Sequence, residues 1–230
     1  MRVVRRLQIV TLLCLVASAL AGDAPGDALL AEARRIVAQA RTTEYQHATK
    51  VDEPNGVYKL DCSAFVGLAL KHAAPEALAQ VPHTFGKKRP LAADFYECFT
   101  GDGKADRPRW TQVQTVADAL PGDILCWRRA NVIAGEDTGH VMIVDSVPER
   151  VRDGLFKVRI IDSTKGAHGD DTRRTGESGV GRGSIWVSAD AQGQPQGYCW
   201  SSPERKPRVC KIAIGRVLSL KVEAVPAETR

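Results

Sequence analysis

The chain has 230 residues, 43% hydrophobic and 26% charged, with a formal net charge of +5. That balance excludes a disordered chain, and the length suits one domain with its own core. Arg2, Arg5 and Arg6 carry three of the five net charges, so the remainder sits at +2, and a near-neutral protein offers no electrostatic case for nucleic acid.

The start MRVVRR leads into an apolar run, Ile9 to Ala21, that ends in Ala19-Leu20-Ala21. This is the pattern of a secretory signal peptide over residues 1–21, cleaved after Ala21. The run is too short to span a bilayer comfortably. Leu13 stands ahead of Cys14 where a lipidation site wants a small residue. No second apolar run follows, so stable membrane insertion is not expected. The mature chain, from residue 22 to 230, is expected to be exported, either periplasmic or secreted.

Export permits disulfides. Five cysteines remain once Cys14 is removed: Cys62, Cys98, Cys126, Cys199 and Cys210. An odd number leaves at least one thiol free. Cys199 and Cys210 flank a charged, Pro-containing loop and are the expected pair. Cys62 is the expected free thiol.

In chain order, Asp27 to Ala40 has helical apolar spacing with an aspartate at its start. Thr42 to Tyr58 is polar and holds Asp52-Glu53-Pro54-Asn55-Gly56, which predicts a loop with a turn. Cys62 to Ala73 repeats apolar residues at i, i+3, i+4 and i+7, the face of a buried helix, with Asp61 at the N-cap position. Pro75 to Ala79 extends or restarts that helix, and Arg89 to Phe99 predicts a short one. Gly101 to Arg109 is a polar loop, and Pro121-Gly122-Asp123 a turn.

The character then changes. Asp123 to Trp127, His140 to Val147, Phe156 to Asp162, Ser184 to Ser188 and Lys211 to Val217 are short and rich in Val and Ile, as strands are. Gly166 to Gly183 holds six glycines and many charges, which predicts a long exposed loop. Helices first and strands after imply an α+β fold, with N-terminal helices packed on a central antiparallel sheet.

Cys62 stands in the first turn of its helix. There the macrodipole and unpaired N–H groups favour a thiolate, and the same N–H groups can hold an oxyanion. The plain alternative is a packed thiol, since cysteine is often buried. A nucleophile needs a base. Of five histidines, His140 opens a strand directly after a polar loop, while His72 falls on the polar side of a helix and His168 in the glycine-rich loop. The base in turn needs an orienting group. Asp162 ends the next strand, 22 residues on. Asp145 lies on the same strand as His140 and is too far along it. Tyr45, Asp61 and Ser63 lie near the nucleophile and are assigned to substrate binding. Tyr45 has a plain alternative as a half-buried ring packed on the first helix.

LDCSAFV (60–66), LPGDILCW (120–127) and GHVMIVDSV (139–147), in that order, resemble the NlpC/P-sixty family of bacterial cell-wall cysteine peptidases. The resemblance covers roughly Ala31 to Asp162. It implies a papain-like fold with Cys62 as nucleophile, His140 as base and Asp162 as orienter. It also implies peptidoglycan stem peptides as substrate, cut next to D-glutamate. Ala64 stands where the family usually has glycine, and Asp162 where histidine is common. The segment near 75–119 reads as an insert and the region from about 165 as a β-rich extension. No cofactor, metal or nucleic acid is implied, and the expected state is a monomer. Two rivals stay open: an amidase or acyltransferase on the same scaffold, and a non-catalytic cell-envelope protein that binds wall peptide. A metal site on His140, Asp162 and a residue of His168-Gly169-Asp170-Asp171 matches no common ligand spacing.

Overall fold

The computed structural model describes residues 25–84, 88–101, 107–133 and 137–219. The signal-peptide reading over 1–21 lies outside them. Among the described residues no helix is long and apolar enough to cross a membrane.

Helix α1 spans Pro25–Gln39 and buries Leu29, Leu30, Ala33 and Ile36, one stripe at helical spacing. The polar stretch after it is not only a loop. It forms a small sheet of β1 (Thr42–Glu44), β2 (Lys50–Asp52) and β3 (Val57–Lys59), in the order β1-β3-β2. Helix α2 runs Cys62–Ala73, followed by α3 (Pro75–Leu78) and α4 (Ala92–Thr100). Pro75 ends α2 because it lacks the N–H a continuing helix needs, and it opens α3 at the position where that loss costs nothing.

The remaining strands are β4 (Trp110–Val113), β5 (Ile124–Arg128), β6 (Gly139–Val144), β7 (Glu149–Arg152), β8 (Leu155–Thr164), β9 (Gly179–Ala189), β10 (Pro195–Cys199), β11 (Arg208–Val209) and β12 (Lys211–Val217). They form one sheet ordered β11-β10-β9-β8-β6-β5-β12-β4, with β7 paired beside β8. Every pairing in it is antiparallel. The fold is therefore mixed helix and sheet, with a large antiparallel sheet.

Alternation along the strands sorts two cores. Ile124, Cys126, Val141, Ile143 and Ala213 face the helices and pack with Phe65, Val66, Phe95 and Phe99. Leu125, Met142, Val144, Ile160, Ile212 and Ile214 fill the opposite side with Ile185 and Val187. Each fully buried Ile, Val, Leu, Met or Phe among them contributes roughly 1.5–3 kcal/mol. The second core closes because the sheet curves and brings β10 against β12.

Two glycines are required by contact and conformation. Gly122 has φ +88°, and a Cβ there would lie 2.0 Å from the Gly26 carbonyl oxygen. Gly139 has φ +136°, and its Cβ would lie 1.9 Å from the Trp127 oxygen. Both precede residues that matter. Asp123 is buried and bonds both its oxygens to Arg216 on β12 at 2.8 Å, and His140 begins the site.

Candidate active site

Asp61 sets the head of α2. Its backbone is extended (φ −88°, ψ 179°), and its Oδ1 accepts the Ala64 N–H at 2.9 Å. Cys62 follows, 4% exposed. The N–H groups of this first turn have no intrahelical acceptor. The turn is fastened to the sheet by the Ser163 hydroxyl, which donates to the Leu60 carbonyl at 2.6 Å. Ser163 is the neighbour of Asp162 on β8, so Cys62 and Asp162 share an anchor.

His140 and Asp162 lie on adjacent strands β6 and β8. His140 Nε2 is 2.6 Å from Asp162 Oδ2. Cys62 lies close enough to act electrostatically on the same imidazole, and with Nε2 taken by Asp162 the ring's free nitrogen is Nδ1. Burial pulls the His140 pKa down, but the negative charge of Cys62 and the bond to Asp162 push it up to about 10. His140 therefore favours the imidazolium form. Tyr45 lines the same cleft, and its hydroxyl is raised first by burial and then by the charge of Cys62.

Asp162 is fully buried, and three donors converge on it. Besides His140, His168 Nε2 lies 2.8 Å from the same Oδ2, and Arg173 Nη2 donates to Oδ1 at 2.8 Å. Burial alone would raise this carboxyl, but His168, His140 and Arg173 hold it well below the usual range. Arg173 is itself fixed by Asp171 Oδ1 at 2.8 Å and the Gly179 carbonyl at 2.9 Å. Asp171 Oδ2 also accepts the His168 N–H at 2.7 Å.

This arrangement overturns two expectations. The segment from Gly166 to Gly183 is not simply an exposed loop: its end is strand β9, and its start folds back over Asp162. His168 is not a surface residue but is buried, its ring 3.9 Å from that of Trp200. Room for this comes from Gly181 and Gly183. A Cβ at Gly181 would lie 2.6 Å from Arg173 Nε, and one at Gly183 would lie 2.8 Å from His168 Cβ. The period-2 glycines of Gly179-Val180-Gly181-Arg182-Gly183 are the signal for a strand covered closely on one face.

The other assignments divide. Asp145 is buried with Arg34 and Arg182, not with His140. Asp61 and Ser63, assigned to substrate binding, are engaged within the protein. Both are buried, Asp61 is ion-paired with Arg89 and bonded to His47, and Ser63 accepts from Arg89 at 2.6 Å. Both thus help to cap α2 beside Cys62. The Cys199–Cys210 pair does not form either. All five described cysteines are free. The Cys210 N–H bonds the Gln196 carbonyl, three residues along β10 from Cys199. That offset of roughly 10 Å exceeds the Cα separation of about 7 Å that a disulfide bridges. Burial pushes Cys98 up to about 12, Cys210 to about 11, and Cys126 and Cys199 upward.

His140, Asp162 and His168 present ligand atoms within 4.8 Å of one another, close enough for a metal ion. Their chemistry fits hydrogen bonding better. Both Nε2 atoms already engage one carboxylate oxygen, and the Arg173 guanidinium beside it disfavours a second cation.

The cleft at His140 has a volume of about 250 Å³. Trp127, Tyr198 and Trp200 form its aromatic wall, and Lys165, Arg129 and Arg208 its cations. No family model matches the chain. No solved structure matches it. It is similar to the uncharacterized protein R653 of Acanthamoeba polyphaga mimivirus, with 28% identity over 204 residues covering 76% of this chain and 88% of that protein.

Proposed function

We propose that this chain is an exported cysteine hydrolase that cleaves amide bonds in peptidoglycan stem peptides through an acyl-enzyme. The observation that carries this is the buried His140–Asp162 pair at 2.6 Å, with Cys62 at the head of α2 near enough to shift the imidazole. A nucleophile at a helix head facing a base on an antiparallel sheet is the packing of papain-like enzymes. The NlpC/P-sixty resemblance of the three sequence segments supplies the substrate class.

In this reading the Cys62 thiolate attacks the carbonyl carbon. The developing oxyanion is held by first-turn N–H groups, Cys62's among them. The C–N bond breaks as the His140 imidazolium gives its proton to the leaving amine. Water then enters, His140 takes its proton, and hydroxide adds to the thioester. The carboxylate product leaves and the thiolate returns. Asp162 holds the ring orientation and stabilises the imidazolium throughout.

The test is digestion of purified peptidoglycan by the mature chain and by Cys62→Ala, with products read by mass spectrometry. Cleavage within the stem peptide by the wild type alone is expected. Transfer of the acyl group to an added amine would favour the acyltransferase rival. Intact peptidoglycan with an unreactive Cys62 would favour the binding protein.

A further inference from the structure

Resting on that catalytic reading, we propose that Arg89 is a positioning residue for Cys62: it binds the residues on both sides of the nucleophile and cancels the carboxylate beside it. Arg89 Nη2 donates to Asp61 Oδ2 at 2.5 Å, and Nη1 donates to the Ser63 hydroxyl at 2.6 Å. Ser63 Oγ in turn donates to Asp61 Oδ1 at 3.1 Å, and the same oxygen caps the Ala64 N–H. A closed ring of bonds thus joins Arg89, Ser63 and Asp61, and Cys62 is the residue between the last two. A guanidinium supplies two such bonds from one rigid plane, which a flexible ammonium does not.

The guanidinium is itself held from the core. Arg89 stands three residues ahead of α4, which buries Phe95 and Phe99. Asp94, buried in the first turn of α4, accepts the Leu91 N–H at 2.7 Å and the Thr84 N–H at 2.8 Å. Charge matters as much as placement. Asp61 is buried, and an unpaired carboxylate beside a cysteine opposes the thiolate. Burial would raise the Asp61 carboxyl, but the Arg89 charge leads the effects that hold it below its ordinary range. The other titratable and charged groups around Cys62 are His140 on β6 with Asp162 behind it on β8, Tyr45 after β1 with Lys165 over its ring, and His47, 3.1 Å from Asp61 Oδ2. Among the described residues Arg89 is the only lysine or arginine in ion-pair contact with Asp61.

The test needs no substrate of known structure. Iodoacetamide, a neutral reagent, alkylates the thiolate, forming S–C and releasing iodide. Its rate at Cys62 is measured from pH 5 to 9 by peptide mass spectrometry, in the wild-type chain, in Arg89→Gln and in Asp61→Asn/Arg89→Gln, with circular dichroism reporting whether each is folded. At pH 7 Arg89→Gln should react roughly tenfold slower, and its profile should move up by about one pH unit, the lower end of what a neighbouring charge does. The double variant lacks the carboxylate as well as its partner, and Asn still caps a helix, so its profile should return to that of the wild type. It leaves neither charge of the pair alone, so it carries the test if Arg89→Gln does not fold. An unmoved profile in folded Arg89→Gln, or a double variant whose profile stays raised, overturns the role of Arg89 and leaves the catalytic reading standing. A wild-type Cys62 that reacts only as an ordinary thiol overturns both.

Discussion

Replacing Asp162 with Asn removes one charge and hardly changes shape, so its effect isolates the electrostatics of the buried cluster. A carboxylate accepts at both oxygens, and here it meets three donors, from His140, His168 and Arg173. An asparagine offers one oxygen and turns its NH₂ toward groups that also donate. Arg173, with 3% of its side chain exposed, would keep its charge but lose one of two carboxylate partners. Removing one member of a buried pair costs about 3–5 kcal/mol. At about 2–4 °C per kcal/mol for a chain of this size, the melting temperature should fall by about 6–20 °C. Thermal denaturation at pH 7 followed by circular dichroism measures it. Asp162→Asn/Arg173→Met should be more stable than the sum of the two single losses by about 0.5–3 kcal/mol. A single variant melting within 2 °C of the wild type, or strictly additive losses, would refute the buried-cluster argument.

Three further outcomes follow from the same geometry. Turnover of peptidoglycan fragments by His140→Ala should drop by ~10²–10⁴-fold, and the pH profile of Cys62 alkylation should move with it. His140 is raised to about 10 from an unfolded value of about 6.5, so its stabilisation is complete below the lower value and is lost as pH rises through the upper. Melting temperature should therefore decline from pH 7 to 10, and His140→Ala should flatten that slope. His168→Phe keeps the stack on Trp200 but loses the bond to Asp162, so kcat should fall with KM unchanged, and His168→Gln, which retains an N–H donor, should recover part of it; equal kcat in both variants would make His168 a packing residue only.

The parts legible in the sequence are those encoded locally. Helix α2 runs Cys62–Ala73, as its apolar period and the Asp61 cap predict, and β12 runs Lys211–Val217, as its Val and Ile content predicts. Strands β1 to β3 have three residues each, too short for any period to register, so a polar turn region conceals them. His168 and Arg173 were hidden for a different reason. Glycine and charge between 166 and 183 suggest solvent, yet those charges neutralise one another around a carboxylate that lies on another strand. Only the pairing of β8 with β9 makes the cluster visible. The same holds for Arg208, whose place in the cleft depends on β11 pairing with β10.

The position of β12 has a consequence for synthesis. It lies between β4 and β5, both of which precede it by at least eighty residues. A ribosome releases the helix bearing Cys62 and the strand bearing His140 long before it releases Lys211 to Val217. Until then β4 has no neighbour, and β5 offers an open edge. A nascent chain can thus bring Cys62 and His140 together only on a half-built sheet. Such late, long-range closure makes folding slow, and the unpaired edges of β4 and β5 stay open to wrong partners until β12 arrives.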